Sequence, residues 1–356
     1  MRRNEYIENK NTMSYHDTAL ALTSMKKQPG MEWLDVVQVH QLQQSLRDLD
    51  MAYGRFFRKK ALYPRFKTKD DSHQSFRKPA NWRIAGNKIA LERGLFIRFR
   101  GTKLPEDAKW KSITISKDAR GHWHASMKLE QEVTPKTKAG KPVGIDLGLT
   151  HLAITSDGKK YDNLQPKKCE RKAVKRVQQS LSRKQKGSKR RESAKIALAS
   201  LHQKLSNRRM NHLHQTSHRL TSKNHALIVV EDLAVKNMQR NHCLAGSIAD
   251  TGWGEFIRQL EYKQTWRGGE LVKIDRFFPS SKTCSNCSYI VGSLPLSIRQ
   301  WTCPKCSAKH DRDVNAAKMI LKQGLRNSLC VESTDGTASN RGRVTGSTKR
   351  KVLLVY

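Results

Sequence analysis

The chain has 356 residues, enough for two or three domains with cores of their own. Its 69 Lys and Arg against 31 Asp and Glu leave a formal charge of +38, far beyond what solubility requires, which points to a polyanionic partner, most simply nucleic acid. A membrane surface is the competing polyanion, but no apolar run approaches eighteen residues and no signal-peptide core is present, so the expected place is the cytoplasm, at the nucleoid.

Residues Ser14 to Lys59 read as helical, with Ser14 as a cap and a break at Pro29-Gly30. Trp33, Leu34, Val37, Val39, Leu42, Leu46 and Leu49 supply an apolar face. Tyr53-Gly54-Arg55-Phe56-Phe57-Arg58-Lys59-Lys60 and Tyr63-Pro64-Arg65-Phe66-Lys67 interleave rings with cations. Such a cluster suits stacking on bases while neutralising phosphates, although any one ring could equally be core. From Phe76 to Val133 the pattern changes to short alternating runs separated by Ala85-Gly86-Asn87 and Arg120-Gly121-His122, which suggests a small antiparallel barrel or sheet. Thr134 to Lys141, with Pro135, Gly140 and three lysines, reads as a linker.

A new domain is expected to open with Val143-Gly144-Ile145-Asp146-Leu147-Gly148, a buried strand interrupted by an acid. A second strand at His151 to Thr155 and a third near Tyr161, joined by Ser156-Asp157-Gly158-Lys159, form the front half of an RNase H-like sheet. Actin-like ATPases and sugar kinases open similarly, so a phosphate-binding loop is the rival reading. Lys167 to Lys223 carries 18 Lys and Arg against Glu170 and Glu192, with helical apolar spacing broken at Gly187-Ser188. A surface of one sign repels itself unless an anion lies alongside, which favours a nucleic-acid duplex over a merely solvated face. Ala226 to Leu233 is an apolar strand ending in Glu231, at the carboxyl end where open α/β sheets place chemistry; a surface glutamate is the plain alternative. A helix from Gly254 to Arg267 and a strand from Glu270 to Ile274 complete the sheet.

Cys284-x-x-Cys287 and Cys303-x-x-Cys306, fifteen residues apart, fit a four-cysteine zinc ribbon. Two disulfides would need an oxidising compartment that nothing else suggests. Cys169, Cys243 and Cys330 are scattered and read as free thiols. Asp311 to Gln323 reads as a helix stopped by Gly324, with Asp313, Ala316, Ala317 and Ile320 on one face. The small alanines allow close approach to a sheet and carry the Asp313 carboxylate towards it, while Asp311 suits the N-cap. For Asp313 alone, a charge favoured by the helix N-terminus is an equal alternative. Arg326 to Lys349 is rich in Ser, Thr, Gly, Asn and Arg and is expected to be disordered, within a tail spanning 325–356.

Asp146, Glu231 and Asp313, far apart in sequence, can converge in an RNase H-like fold. Their hard oxygens suit Mg²⁺ or Mn²⁺, and two such ions about 4 Å apart can drive phosphodiester hydrolysis. Gly144-Ile145-Asp146-Leu147-Gly148, Val230-Glu231-Asp232-Leu233, the four cysteines and Asp311-Arg312-Asp313-Val314-Asn315-Ala316-Ala317 together resemble TnpB, the OrfB-type proteins of bacterial insertion sequences. Leu42-Gln43-Gln44-Ser45-Leu46-Arg47-Asp48-Leu49-Asp50 and Tyr63-Pro64-Arg65-Phe66-Lys67 are similar to that family's N-terminal half.

The resemblance covers about residues 14 to 322. It implies an α/β protein with a RuvC-like nuclease domain at 142–283 and 307–324, including a basic helical region at 167–223, and an inserted zinc ribbon at 284–306. It also implies a helical recognition lobe at 1–67 and a wedge-like β-barrel at 68–134. The implied activity is that of an RNA-guided DNA endonuclease related to the ancestors of type V CRISPR effectors, with a guide RNA and double-stranded DNA as partners and no membrane. Asp146, Glu231 and Asp313 would be its catalytic acids. Family members usually begin with a β-strand and helix of the wedge, whereas this chain starts inside the helical lobe, so an N-terminal truncation is expected. The competing readings are a nuclease-inactive or truncated guided DNA binder and a strand-transferring transposase.

Overall fold

The computed structural model describes residues 2–68, 71, 74–91, 94–101, 109–133, 140–166, 168–295, 297–333 and 350–355. They fall into two compact units, residues 1–132 with 351–356, and residues 133–350.

The first unit begins with helices α1 (Arg2–Asn9), α2 (Tyr15–Met25), α3 (Trp33–Val36) and α4 (Val39–Phe57). Ser14 caps α2 reciprocally with Asp17, each side chain bonding the other's backbone N–H. Gly30, with φ +84°, turns the chain between α2 and α3 at the Pro29-Gly30 break. Six strands follow: β1 (Gln74–Lys78), β2 (Arg83–Ala85), β3 (Lys88–Ala90), β4 (Phe96–Arg98), β5 (Lys109–Lys117) and β6 (Trp123–Val133). β2, β3 and β4 make an antiparallel meander, while β1 and β6 flank β5 in a second antiparallel sheet. Ile89 and Leu91 from the first sheet's side share a core with Ile113, Ile115 and Met127 from the second. Tyr53, Phe56, Phe57 and Tyr63 pack on one another with centroids 5.4 to 6.2 Å apart, yet Phe57 stays 70% exposed and Phe66 97%. The ring cluster is thus partly core and partly open face.

The second unit contains β7 (Val143–Asp146), β8 (His151–Thr155), β9 (Lys160–Asp162), α5 (Lys168–Ser182) and α6 (Lys189–Ser222). Next come β10 (Leu227–Glu231), α7 (Val235–Met238), α8 (His242–Thr251), α9 (Trp253–Trp266) and β11 (Glu270–Ile274). A small hairpin, β12 (Gln300–Thr302) with β13 (Lys309–Asp311), precedes the long helix α10 (Arg312–Ser333). Gly187, at φ +83°, and Ser188, which caps α6, break the basic helical region where the sequence indicates.

The five-stranded sheet runs β11-β10-β7-β8-β9. β7, β8 and β9 are antiparallel neighbours, and β10 and β11 continue parallel to β7. Strand alternation sorts the sheet into two faces. Val143, Ile145, Ile228 and Val230 join Leu213 and Leu220 of α6 and Phe256 and Leu260 of α9 in one core. On the opposite face, Val229 and Ile274 pack with Ile320 of α10.

Two expectations need correction. Gly324 does not stop α10, which continues to Ser333. Gly324 serves packing instead: a Cβ there would stand 2.4 Å from Val229 Cγ1, so only glycine lets the helix lie this close to β10. The 325–356 tail is also not uniformly unstructured. Its start is the last part of α10, and β14 (Arg350–Val355) adds to the first unit's sheet beside β6. Residues 334–349 and the linker residues 134–139 lie outside the described residues.

Candidate active site and cysteine cluster

Asp146 ends β7 and Glu231 ends β10. Val230 pairs with Ile145 in the parallel register, so Glu231 and Asp146 are the next residues on adjacent strands and project to the same face. That face lies under α10. A Cβ on Gly144 would meet Ala317 O at 2.2 Å, so the missing side chain lets helix backbone touch strand backbone. Asp146 follows Gly144 by two residues and Asp313 precedes Ala317 by four, one turn earlier on α10. The contact between Gly144 and Ala317 therefore aims all three carboxylates at one end of the sheet.

Their electrostatics agree with this placement. Burial, followed by the nearby carboxylates of Glu231 and Asp313, pushes the Asp146 carboxyl up to about 7, against the opposing Leu147 N–H and the Arg312 charge. Burial also raises Glu231, opposed by the hydrogen bond that Ser280 Oγ donates to Glu231 Oε1 at 2.6 Å. Asp313 Oδ1 accepts from Arg299 Nη1 at 3.3 Å. Asp311 is the cap: its Oδ1 accepts from the N–H groups of Asp313 and Val314 at 3.0 and 3.1 Å, and Lys160 Nζ bonds its other oxygen at 2.8 Å.

Three clustered carboxylates form an oxygen-rich group whose chemistry fits a hard divalent cation. They do not close into a tight cage. Among the described residues, the four cysteines alone form a group of three or more Cys, His, Asp or Glu whose ligand atoms all lie within 4.8 Å of one another.

That cysteine group is built by two matching knuckles. In each, the N–H of the residue after the second cysteine returns to the first cysteine's carbonyl, Ser288 to Cys284 and Ser307 to Cys303, both at 2.9 Å. Both serines take left-handed backbone conformations, at φ 62° and 55°. Cys284 and Cys306 Sγ stand 3.7 Å apart, and Cys287 and Cys303 Sγ 3.6 Å apart. A disulfide requires about 2.0 Å, whereas thiolates about 2.3 Å from a tetrahedral Zn²⁺ are separated by roughly 3.8 Å. All four cysteines are free thiols, so the donor set fits one zinc ion.

Asn315 joins the two sites. It is 2% exposed; its Nδ2 donates to Thr283 O at 2.7 Å, and its Oδ1 accepts from Ser285 N at 2.9 Å. One side chain thus brackets Cys284 from a position two residues beyond Asp313. Arg312 is buried beside it and donates to Pro295 O at 2.6 Å. Arg299 and Ser280 carry no signal in the sequence, and Asn315 stands there only within the Asp311 to Ala317 motif without a role, because one polar residue in a loop or helix has no periodicity.

Residues 124–242 match the OrfB_IS605 family, described as "Probable transposase", and residues 253–320 match the "Cas12f1-like, TNB domain" family. A Streptomyces pristinaespiralis protein named "Putative RNA-guided DNA endonuclease" is 41% identical over 89% of this chain and 79% of its own length. The InsQ protein of Escherichia coli K12, which bears the same description, is 34% identical over 93% of this chain and 86% of its own. Cas12f1, solved with its sgRNA and target DNA, shares the fold at a TM-score of 0.54 and 12% identity, over 89% of this chain and 77% of that one. Among the described residues, no helix is long and apolar enough to cross a membrane.

Proposed function

The chain belongs to the TnpB family of OrfB-type proteins, and on that premise we propose that it is a transposon-associated RNA-guided DNA endonuclease. The observation that carries the reading is the placement of Asp146 and Glu231 side by side on parallel strands, beneath the α10 turn that holds Asp313. The strand order, three antiparallel strands extended by two parallel ones, supports a RuvC-like domain over 142–283 and 307–324, interrupted by a zinc ribbon at 284–306. Residues 1–67 and 68–134 are read as recognition lobe and wedge. The charge of +38 supports a guide RNA and double-stranded DNA as partners.

In this reading Asp146, Glu231 and Asp313 hold the catalytic cation, Mg²⁺ or Mn²⁺. When bound, the metal supplies an activated water and stabilises the leaving 3′ oxygen in an in-line displacement. The chain's own work is to keep the acids convergent. β7 and β10 fix two of them, Ser280 orients Glu231, and the Asp311 cap fixes the turn that carries Asp313. Sequence selection falls to base pairing with the guide, and the protein reads only a short flanking motif.

The test is to purify the chain from its host, sequence any copurifying RNA, and assay cleavage of DNA matched to that guide. Wild type should cleave in Mg²⁺ or Mn²⁺, and Asp313→Ala should retain RNA but lose cleavage. Undiminished cleavage by Asp313→Ala overturns the assignment of the acids, and joined rather than hydrolysed DNA products overturn the endonuclease reading.

A further inference from the structure

On the face of the second unit opposite the carboxylates, α6 and α9 leave a shallow cavity lined by His214, Gln215, His218, Arg219 and Lys263. The helix pattern explains its chemistry. Leu213, Thr216, Ser217 and Leu220 face inward, which turns His214, Gln215, His218 and Arg219 outward along the seam, where α9 contributes Lys263 and its C-cap is Arg267.

The cavity is rich in donors. Lys263 Nζ donates to His214 O at 2.9 Å and Ser217 Oγ at 2.7 Å, which fixes the ammonium at the cavity wall with a third N–H to spare. Arg267 Nη2 stands 3.2 Å from His218 Nδ1, and a guanidinium only donates. His218 Nδ1 is thus the acceptor of this contact, which leaves Nε2 as the ring's donor. Arg219 is exposed beside it.

Among the described residues, no carboxylate forms an ion pair with Arg219, Lys263 or Arg267. The nearby acid, Glu255, accepts from Arg258 Nε and Nη2, at 2.8 and 2.7 Å, and from Gln259 Nε2 at 2.9 Å. Partial burial and the neighbouring Arg267 charge push the Lys263 amine down to about 8, and the engaged Glu255 carboxylate opposes them only in part. Ionic lysines and arginines converging on a concavity without a carboxylate are arranged for phosphate oxygens.

We propose that the seam of α6 and α9 is a phosphate-binding site that grips the backbone of a bound nucleic acid through Lys263, Arg219 and His218. Resting on the nuclease reading above, the site lies across the sheet from Asp146, Glu231 and Asp313, so it acts as a positioning contact without touching the reacting phosphate. Contact to a diester group makes the grip indifferent to base sequence. The source, RNA or DNA, is left to the two arms of the test.

The experiment is lysine footprinting of the full chain with acetic anhydride at pH 8, alone and saturated with either a single-stranded RNA or a duplex DNA probe. Mass spectrometry then follows acetylation at Lys263. The expected result is acetylation slowed at least about fivefold at Lys263 by one probe, which identifies the source. In parallel, Arg219→Gln/Lys263→Gln should weaken that probe about tenfold and reduce the slope of log affinity against log salt by about one to two, as for the loss of one or two phosphate contacts. Arg219 is exposed and Lys263 half-buried at the seam, and a far-UV spectrum and melting temperature like those of wild type keep the comparison valid. Lys263 acetylation unchanged by both probes, or a variant whose affinity and salt slope match wild type for both, overturns the proposal.

Discussion

Arg299 Nη1 stands 3.3 Å from Asp313 Oδ1, so the hairpin beside the cysteine cluster sets a cation against one of the three convergent acids. Arg299 is 62% exposed at its side chain, and exposed pairs of this kind contribute on the order of 0–1 kcal/mol. The pair is therefore weak, and on the proposed reading a divalent cation at Asp313 would displace it. Arg299→Ala should shift the melting temperature by no more than about 2 °C, while Mg²⁺ or Mn²⁺ binding, read by calorimetry on the RNA-free protein, should not weaken. A large loss of metal affinity would show that the arginine organises the acids.

The Asp146 carboxyl, raised from 3.8 to about 7, carries a second prediction. A folded-state value above the unfolded one means that the folded chain holds this proton more tightly. The associated stability is fully present below about pH 4 and is lost as pH rises through about 7. The shift sets a ceiling of about 4 kcal/mol. In chelator, the wild-type melting temperature should fall between pH 5 and pH 8, and Asp146→Asn should be the more stable protein at pH 8. Divalent-ion affinity should run the other way and increase with pH, because the ion needs the carboxylate. Equal pH profiles for wild type and Asp146→Asn in chelator would contradict this account.

Gly144→Ala tests the packing beneath the site. The new methyl would meet Ala317 O at 2.2 Å, and neither strand nor helix backbone can step aside alone. A loss of about 3 kcal/mol or more is expected, at the upper end for overpacked cores, and is readable by chemical denaturation. A variant within about 1 kcal/mol of wild type would mean that α10 does not sit this close to β7.

The cysteine cluster should hold one zinc per chain by elemental analysis, and Cys303→Ser should lower that content. Removal with a strong chelator should expose four additional thiols to a thiol reagent. Absence of zinc from protein made in zinc-replete medium would overturn the assignment.

Asn315→Ala should cost about 2–4 kcal/mol, since it strands Thr283 O and Ser285 N–H beside Cys284. Chelator-induced zinc loss should be faster in this variant than in wild type. Unchanged zinc kinetics would separate the clamp from the metal site.

Sequence patterns revealed some of these features and hid others for physical reasons. The β7 and β10 strands were legible because their apolar runs are bounded by acids, and the cysteine pairs because metal geometry restricts spacing. Asp146, Glu231 and Asp313 were legible as candidates, but their common face depends on the parallel register and on Gly144, which pattern alone does not fix. Gly324 looked like a helix stop because glycine usually ends helices, whereas here proximity to Val229 demanded it. Helix α8 went unseen: it contains Gly246 and buries only Ile248 and Thr251, too little for an amphipathic stripe. The Lys263 cavity was equally hidden, since it exists only where two helices distant in sequence lie side by side.

Asp313 enters α10 after every strand of the central sheet has been made, 167 residues beyond Asp146. A ribosome-bound chain can thus complete its sheet and its α6–α9 layer while still lacking the third acid. The candidate acid cluster is thus completed last in synthesis, and a fragment ending before α10 would keep most of the chain's Lys and Arg while lacking Asp313.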